Sequence, residues 1–259
     1  MSKDIKILVA THKKYEMPND DMYLPIHVGR EGKKDLGYQG DNTGENISHK
    51  NKNFCELTGL YWAWKNLNCE FIGLCHYRRY FKSNSRKKLR EKKLSQIISR
   101  YEVEELLDEY DIILPKKRSY YIETVWSHYE HAHNINDLRE TEKIINELFP
   151  EYINSFNEVM NRKTLHLYNM FILKKDDFDS YCEWLFNILF ELEKRIDITD
   201  YNKYQSRVFG FISERLFNVW IIYNRKKFKE LKIVNMEEIN WLLKLSSFIK
   251  RKFKHTKPK

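Results

Sequence analysis

Residues 71–80 read Phe71-Ile72-Gly73-Leu74-Cys75-His76-Tyr77-Arg78-Arg79-Tyr80. The apolar run from Phe71 to Cys75 predicts a buried strand. The sequence then turns basic within one residue. A histidine and two adjacent arginines at the end of a buried strand make a strong anion site, because guanidinium forks bind phosphate bidentately and stay charged. The bland alternative is a pair of arginines bridging surface carboxylates. The position between two aromatics, directly after a hydrophobic strand, favours the site.

Outward from this stretch, the same pattern recurs. Ile5 to Ala10 reads as a buried strand ending at Thr11-His12, and Leu24 to Val28 as a second strand. Asp111 to Leu114 is a short strand closed by Pro115, and Leu167 to Leu173 is another. Between them lie helical patterns. Asn53 to Asn66 places Phe54, Leu57, Leu60, Tyr61 and Trp64 at helical spacing, and residues 86–109 and 123–161 read as further helices. Asp176-Asp177 caps a long helix carrying Phe178, Tyr181, Leu185, Ile188 and Leu192, and Tyr204 to Tyr223 is a second strong helix. Strands separated by helices imply a mainly parallel α/β sheet, whose ligands bind at the carboxyl ends of strands. That rule nominates His12, the glycine-rich loop, His76 to Arg79 and the segment after Leu114.

The glycine-rich loop runs from Gly29 to Ser48 and includes Gly32, Gly37, Gly40 and Gly44. Its Tyr38, Asp41, Asn42, Asn46 and Ser48 suit a ligand that needs close backbone approach and hydrogen bonds to sugar hydroxyls or a nucleobase. It is neither a dinucleotide fingerprint nor a P-loop. A third group is Ser127-His128-Tyr129-Glu130-His131-Ala132-His133-Asn134. His128 and His131 share a helix face, yet the spacing is not that of a zinc hydrolase, and structural histidines are the plain alternative. The base that deprotonates an acceptor hydroxyl is a carboxylate or histidine, with Asp41, Glu130, Asp111 and Glu214 as candidates.

Composition bounds the rest. The 259 residues are 42% hydrophobic and 15% aromatic, enough to fill one large domain, so wholesale disorder is excluded. The net charge of +9 points to an anionic partner. The basic runs, Lys82 to Lys93 and Lys244 to Lys259, lack the aromatic interleaving of a single-strand RNA platform and the pattern of a helix-turn-helix, so an anionic membrane surface ranks above nucleic acid. Cys55, Cys69, Cys75 and Cys182 form no CxxC pair, which fits a reducing compartment and argues against structural zinc. The N-terminus carries no signal-peptide core and no stretch is long enough to span a bilayer. A cytoplasmic protein, peripheral on the inner face of the plasma membrane, is expected. Met236 to Phe253 predicts an amphipathic C-terminal helix with a basic tail that would lie on that surface.

Several motifs are long and specific. Ala10-Thr-His-Lys-Lys-Tyr, Tyr23-Leu-Pro-Ile-His-Val-Gly, Gly40-Asp-Asn-Thr-Gly-Glu-Asn-Ile-Ser, Phe54-Cys-Glu-Leu-Thr-Gly-Leu-Tyr-Trp-Ala-Trp, Ile72-Gly-Leu-Cys-His-Tyr-Arg-Arg-Tyr-Phe, Tyr168-Asn-Met-Phe-Ile and Arg207-Val-Phe-Gly-Phe-Ile-Ser-Glu-Arg-Leu resemble a family described as a domain of unknown function. Its members occur in capsule and exopolysaccharide gene clusters and are labelled glycosyltransferases, some of them galactofuranosyltransferases. The resemblance implies an α/β, GT-A-like Rossmann-type sandwich over residues 1–230, with a basic amphipathic helix and tail over 231–259. It implies transfer of a hexosyl group, galactofuranosyl or galactosyl, from a UDP-sugar to a hydroxyl of a lipid-linked oligosaccharide. Donor binding falls to His12, Tyr38, Asp41, Asn46, His76, Arg78 and Arg79. The base is Asp41 or Glu214, and His128, His131 and Asn169 face the acceptor. The Asp-x-Asp pair that holds a divalent metal in many such enzymes is missing after the Phe71 strand. Stabilisation of the leaving diphosphate by His76, Arg78 and Arg79 is therefore expected in place of a required cofactor, with Mn or Mg as the alternative. A non-catalytic carbohydrate- or nucleotide-binding subunit of an assembly complex is the competing expectation.

Overall fold

The computed structural model of the chain describes residues 2–85 and 92–237. The strands are β1 (Ile5–Thr11), β2 (Tyr23–His27), β3 (Gln39–Gly40), β4 (Phe71–His76), β5 (Arg79–Phe81), β6 (Ile112–Pro115), β7 (Arg118–Ser119), β8 (Thr164–Leu165), β9 (Phe171–Lys174), β10 (Phe228–Leu231) and β11 (Ile233–Asn235). The helices are α1 (Asn51–Phe54), α2 (Leu57–Asn66), α3 (Arg100–Glu109), α4 (Val125–Ala132), α5 (Ile135–Leu148), α6 (Ile153–Asn161), α7 (Lys175–Arg195) and α8 (Val208–Tyr223).

The main sheet has the order β10-β6-β9-β4-β1-β2-β3, with β5 against β4 and β11 against β5. β1 lies between β2 and β4 and is parallel to both. Only an element covered on both faces can be apolar at nearly every position, and β1 is. Its alternate residues enter different cores. Leu8 and Ala10 join the larger core under α2, α7 and α8. Ile7 and Val9 join a smaller one with Val103 and Leu107 of α3 and with Tyr80 and Phe81 of β5. The mainly parallel α/β sandwich expected from the alternation of elements is what the chain forms.

Two strands run against the rest: the short β5, which folds back on β4, and β9. β9 is antiparallel to both β4 and β6, so its first residues, not its last, lie at the rim where the parallel strands end. Phe171 of β9 carries the join to the helical layer. Its ring lies 5.0 Å from Phe217 of α8 and 6.0 Å from Tyr181 of α7.

The structure moves several expected boundaries. The helix expected over 53–66 is broken at Cys55, which takes a left-handed φ of 55° and separates α1 from α2. The strand expected from Leu167 starts at Phe171 because Tyr168 and Asn169 have φ of 75° and 51° and cannot continue a ladder. Residues 231–235, assigned by sequence to the C-terminal helix, are sheet: Ile233 to Asn235 pair with Phe81 to Arg79. The domain boundary placed at 230 therefore shifts past Asn235. The amphipathic helix and basic tail expected from Met236 onward lie outside the described residues but for Met236 and Glu237, as do residues 86–91 of the basic run from Lys82 to Lys93.

Removing the Phe171 ring opens a cavity between β9 and two helices. Phe171→Ala is expected to lower unfolding free energy by about 3–5 kcal/mol in a urea titration, at unchanged slope.

Candidate active site at the strand ends

β1, β2, β3 and β4 deliver Thr11, His27, Gly40 and His76 to one rim, and the start of β9 brings Tyr168 and Asn169 to it. The segment His166–Asn169 is gripped from several sides. Asn218 of α8 accepts from the His166 N–H at 3.0 Å and donates to its carbonyl at 2.9 Å. The Tyr168 N–H donates to Glu214 Oε1 at 2.7 Å, and the Tyr168 carbonyl meets His76 Nε2 at 2.6 Å. The Asn169 amide donates to Glu56 Oε1 at 2.8 Å, and its carbonyl oxygen accepts from the Ser213 hydroxyl at 3.1 Å. A tyrosine with positive φ persists only where surrounding contacts over-determine it, and such strain gathers at functional sites.

Charge is concentrated around this turn. His76 and Arg79 are cross-strand partners, and antiparallel partners share a face. The Arg79 guanidinium lies 4.5 Å from the Tyr168 ring centroid. Burial lowers the His76 pKa and the arginines nearby add to this, while Glu56 opposes it. A neutral His76 then donates from Nε2 to the Tyr168 carbonyl, so it orients the turn and carries no charge. Glu214 keeps 19% of its side chain exposed, and burial raises its pKa against the pull of Arg215 and the Tyr168 N–H. Arg215 itself is buried, donates to the Phe211 carbonyl at 2.7 Å and stands over the Tyr129 ring. Arg207 reaches the same neighbourhood, donating to Cys55 Sγ at 3.2 Å. Burial pushes the Cys55 thiol up to about 11, so it stays protonated near neutral pH.

A second group lies across β5. Arg78, in the turn before β5, pairs with Glu237 at 3.0 Å and stands over Tyr77. His12 packs edge-on against Tyr77 at 5.4 Å, and Lys13 stands over the same ring. Tyr38 donates its hydroxyl to the Tyr15 carbonyl at 2.9 Å, and Tyr15 also packs on Tyr77. His12, Tyr38 and Arg78 are thus drawn to one aromatic shelf, whereas His76 and Arg79 belong to the Tyr168 side. Burial and the Arg78 and Lys13 charges lower the His12 pKa.

The glycine-rich loop is organised from within. Asp41 is fully buried and accepts from the N–H groups of Gly29 at 2.6 Å and Arg30 at 2.9 Å, from Thr58 Oγ1 at 2.6 Å and from the Ser48 hydroxyl. Four donors occupy the carboxylate, which gives it the geometry of a clasp for the loop. A Cβ on Gly29 would fall 2.3 Å from Asn51, and its φ of 62° is left-handed, so this corner accepts no side chain. Asn46 likewise serves the loop, donating to the Gly44 carbonyl and accepting from the Ser48 N–H.

α4 forms a hood over the cluster. His128 stacks on Tyr120 at 4.0 Å, and burial with the Arg215 charge brings its pKa down to about 4. His131, on the same helix, turns outward to a hydrogen bond with Glu123 and is 66% exposed. The structure therefore separates the two histidines that spacing had grouped, and holds Asn169 inside the Tyr168 turn. Sequence reasoning missed Glu56, Tyr168 and Arg207. Glu56 sits beside Cys55 in a motif that reads as plain helix, and the signal was the tyrosine–asparagine pair just before an apolar run.

Removing the Asp41 carboxylate strands four donors. Asp41→Ala is expected to cost about 3–5 kcal/mol of stability in chemical denaturation, whereas Asp41→Asn, which keeps two acceptor lone pairs, should cost less.

No curated protein matches the chain. The apo structure of the bifunctional glycosyltransferase WbbM superposes with a TM-score of 0.83 at 33% identity, covering 91% of this chain and 46% of that one. The chain thus spans less than half the length of that neighbour. The family model described as Domain of unknown function (DUF4422) matches residues 6–226, which include all of β1 but its first residue, the glycine-rich loop, the His76–Arg79 hairpin and the Tyr168 turn with the residues that hold it. With nearly all of its described elements inside that match, the chain belongs to the DUF4422 family.

Proposed function

We propose that the chain is a glycosyltransferase that moves a hexosyl group, galactofuranosyl or galactosyl, from a UDP-sugar to a hydroxyl of a lipid-linked oligosaccharide in capsule or exopolysaccharide synthesis. One observation carries the reading. A partly exposed carboxylate of raised pKa, Glu214, and a guanidinium, Arg79, meet at one strained turn at the strand ends. The glycosyltransferase neighbour of the same fold supports it.

In this reading the nucleotide lies against His12 and Tyr38, which the buried Tyr77 ring supports. Glu214 accepts the proton of the acceptor hydroxyl as its oxygen bonds to the anomeric carbon. The bond from that carbon to the diphosphate oxygen breaks, and the electron pair leaves with UDP. The diphosphate gains charge in the transition state, and Arg79, Arg78 and Arg207 are the groups able to meet it. His76 orients the turn through the Tyr168 carbonyl. His128 and the α4 hood face the acceptor, and Asp41 holds the donor loop. The reading needs no divalent cation, because guanidinium groups supply the positive charge, with Mn or Mg as the alternative that the chelator experiment decides. Among the described residues no three of His, Cys, Asp and Glu converge, and β4 ends in a histidine followed by arginines.

A thermal-shift and hydrolysis screen against nucleotide sugars tests the reading. One UDP-sugar should stabilise the protein and release UDP slowly, with or without chelator. Loss of turnover in chelator and its return with manganese would sink the guanidinium mechanism, and no shift with any nucleotide sugar would sink the enzyme. Glu214→Gln still accepts from the Tyr168 N–H, so it should fold normally and lower kcat by about 10²–10⁴-fold. A base must be unprotonated to act, so wild-type activity should fall as pH drops through the raised Glu214 pKa, and the variant should lack that acid limb.

A further inference from the structure

The turn between β7 and α4 carries two large apolar side chains held out in water. Tyr121 is 82% exposed and Ile122 81%, adjacent in sequence. This is not a loose tip. Tyr120 is buried against His128, its N–H donates to the Lys163 carbonyl at 2.8 Å, and its own carbonyl accepts from Glu123 at 3.2 Å. Tyr121 takes a φ of 60°, rare for a bulky residue, and its N–H donates to the Ser119 hydroxyl at 3.1 Å. The fold thus bends a strained backbone to keep both side chains outside.

The collar around them is basic. Lys116, Arg118 and Lys163 are exposed, and none has a carboxylate partner among the described residues. Three nearby acids are engaged, Glu123 with His131, Glu158 with Arg162 and Glu230 with Lys117, and Glu130 is exposed on α4. An apolar pair ringed by unpaired cations matches an anionic bilayer, whose headgroups meet the cations while tyrosine and isoleucine enter the interface. The turn follows the end of β6, and Tyr120 and His128 lie within electrostatic reach of Glu214 and Arg215, so it borders the mouth of the cleft.

We infer that the Tyr121-Ile122 turn is a membrane-docking tip that seats the cleft mouth on an anionic lipid surface. Delivery of a lipid-linked acceptor through that mouth rests on the glycosyltransferase reading; the docking itself does not. The full chain should co-sediment with phosphatidylcholine vesicles containing phosphatidylglycerol and not with phosphatidylcholine alone. Tyr121→Asn/Ile122→Ser, in which asparagine suits the positive φ, should weaken that binding about tenfold, and Lys116→Glu/Arg118→Glu by a similar factor. UDP-sugar hydrolysis should not change in either variant. Absence of wild-type binding, or equal binding by the Tyr121→Asn/Ile122→Ser variant, overturns the inference, the latter assigning attachment to another surface. A concentration-dependent dimer in sedimentation velocity that this variant abolishes, without vesicle binding, assigns the tip to a second copy and also overturns it. Vesicle binding needs no donor, so its outcome is separate from that of the hydrolysis screen.

Discussion

The hydrogen bonds on Tyr168 and Asn169 are the constraint on which the site depends. A tyrosine at φ of 75° is unfavourable alone, and the left-handed Asn169 after it completes the turn. They are held by groups from three separate parts of the chain: His76 at the end of β4, Glu56 at the start of α2, and Glu214 with Ser213 in α8. Each holder is also a polar group that would otherwise be buried at a cost. The strained turn and the half-buried charges therefore stabilise one another, and neither is favourable without the other. The same contacts place Arg79 over the Tyr168 ring, so the cation's position follows from the turn's.

Much of this was legible in the chain. The apolar run of β1 and the Phe71–Cys75 run gave the central strands because burial on both faces leaves no polar position to confuse the pattern. The abrupt change at His76 marked the rim. Glu214 stood out as a charge on an otherwise apolar helix. What stayed hidden depends on pairing across distance. Asp41 looks like a ligand residue by type, and nothing local shows that four donors close over it. The reversal of β9 is invisible because antiparallel and parallel buried strands have the same composition at four residues. The break at Cys55 needs a left-handed residue where helix periodicity runs on undisturbed. His128 and His131 share a helix spacing, but the stacking of one on Tyr120 and the pairing of the other with Glu123 are tertiary facts.

The two basic groups at the end of β4 have different physical characters. Arg79 is half-buried, packed on the Tyr168 ring and set across the strands from His76. Arg78 lies in a more open setting, 41% exposed and paired with Glu237. Arg78 sits in the turn between β4 and β5 and Arg79 opens β5, so one arginine pair serves two environments.

The reversed direction of β9 also bears on how such a fold can diversify. The chain leaves the sheet at Pro115, builds β7, α4, α5, α6 and β8, and returns to the same rim at Met170. Everything between those points is one continuous excursion hung from two neighbouring strands. Its outer parts, such as the β7–α4 turn, can change in length or sequence without altering a single register in the sheet. A lineage that keeps β4, β6 and β9 fixed can therefore remodel the entrance as a module, while the clasp at its return point holds the chemistry in place.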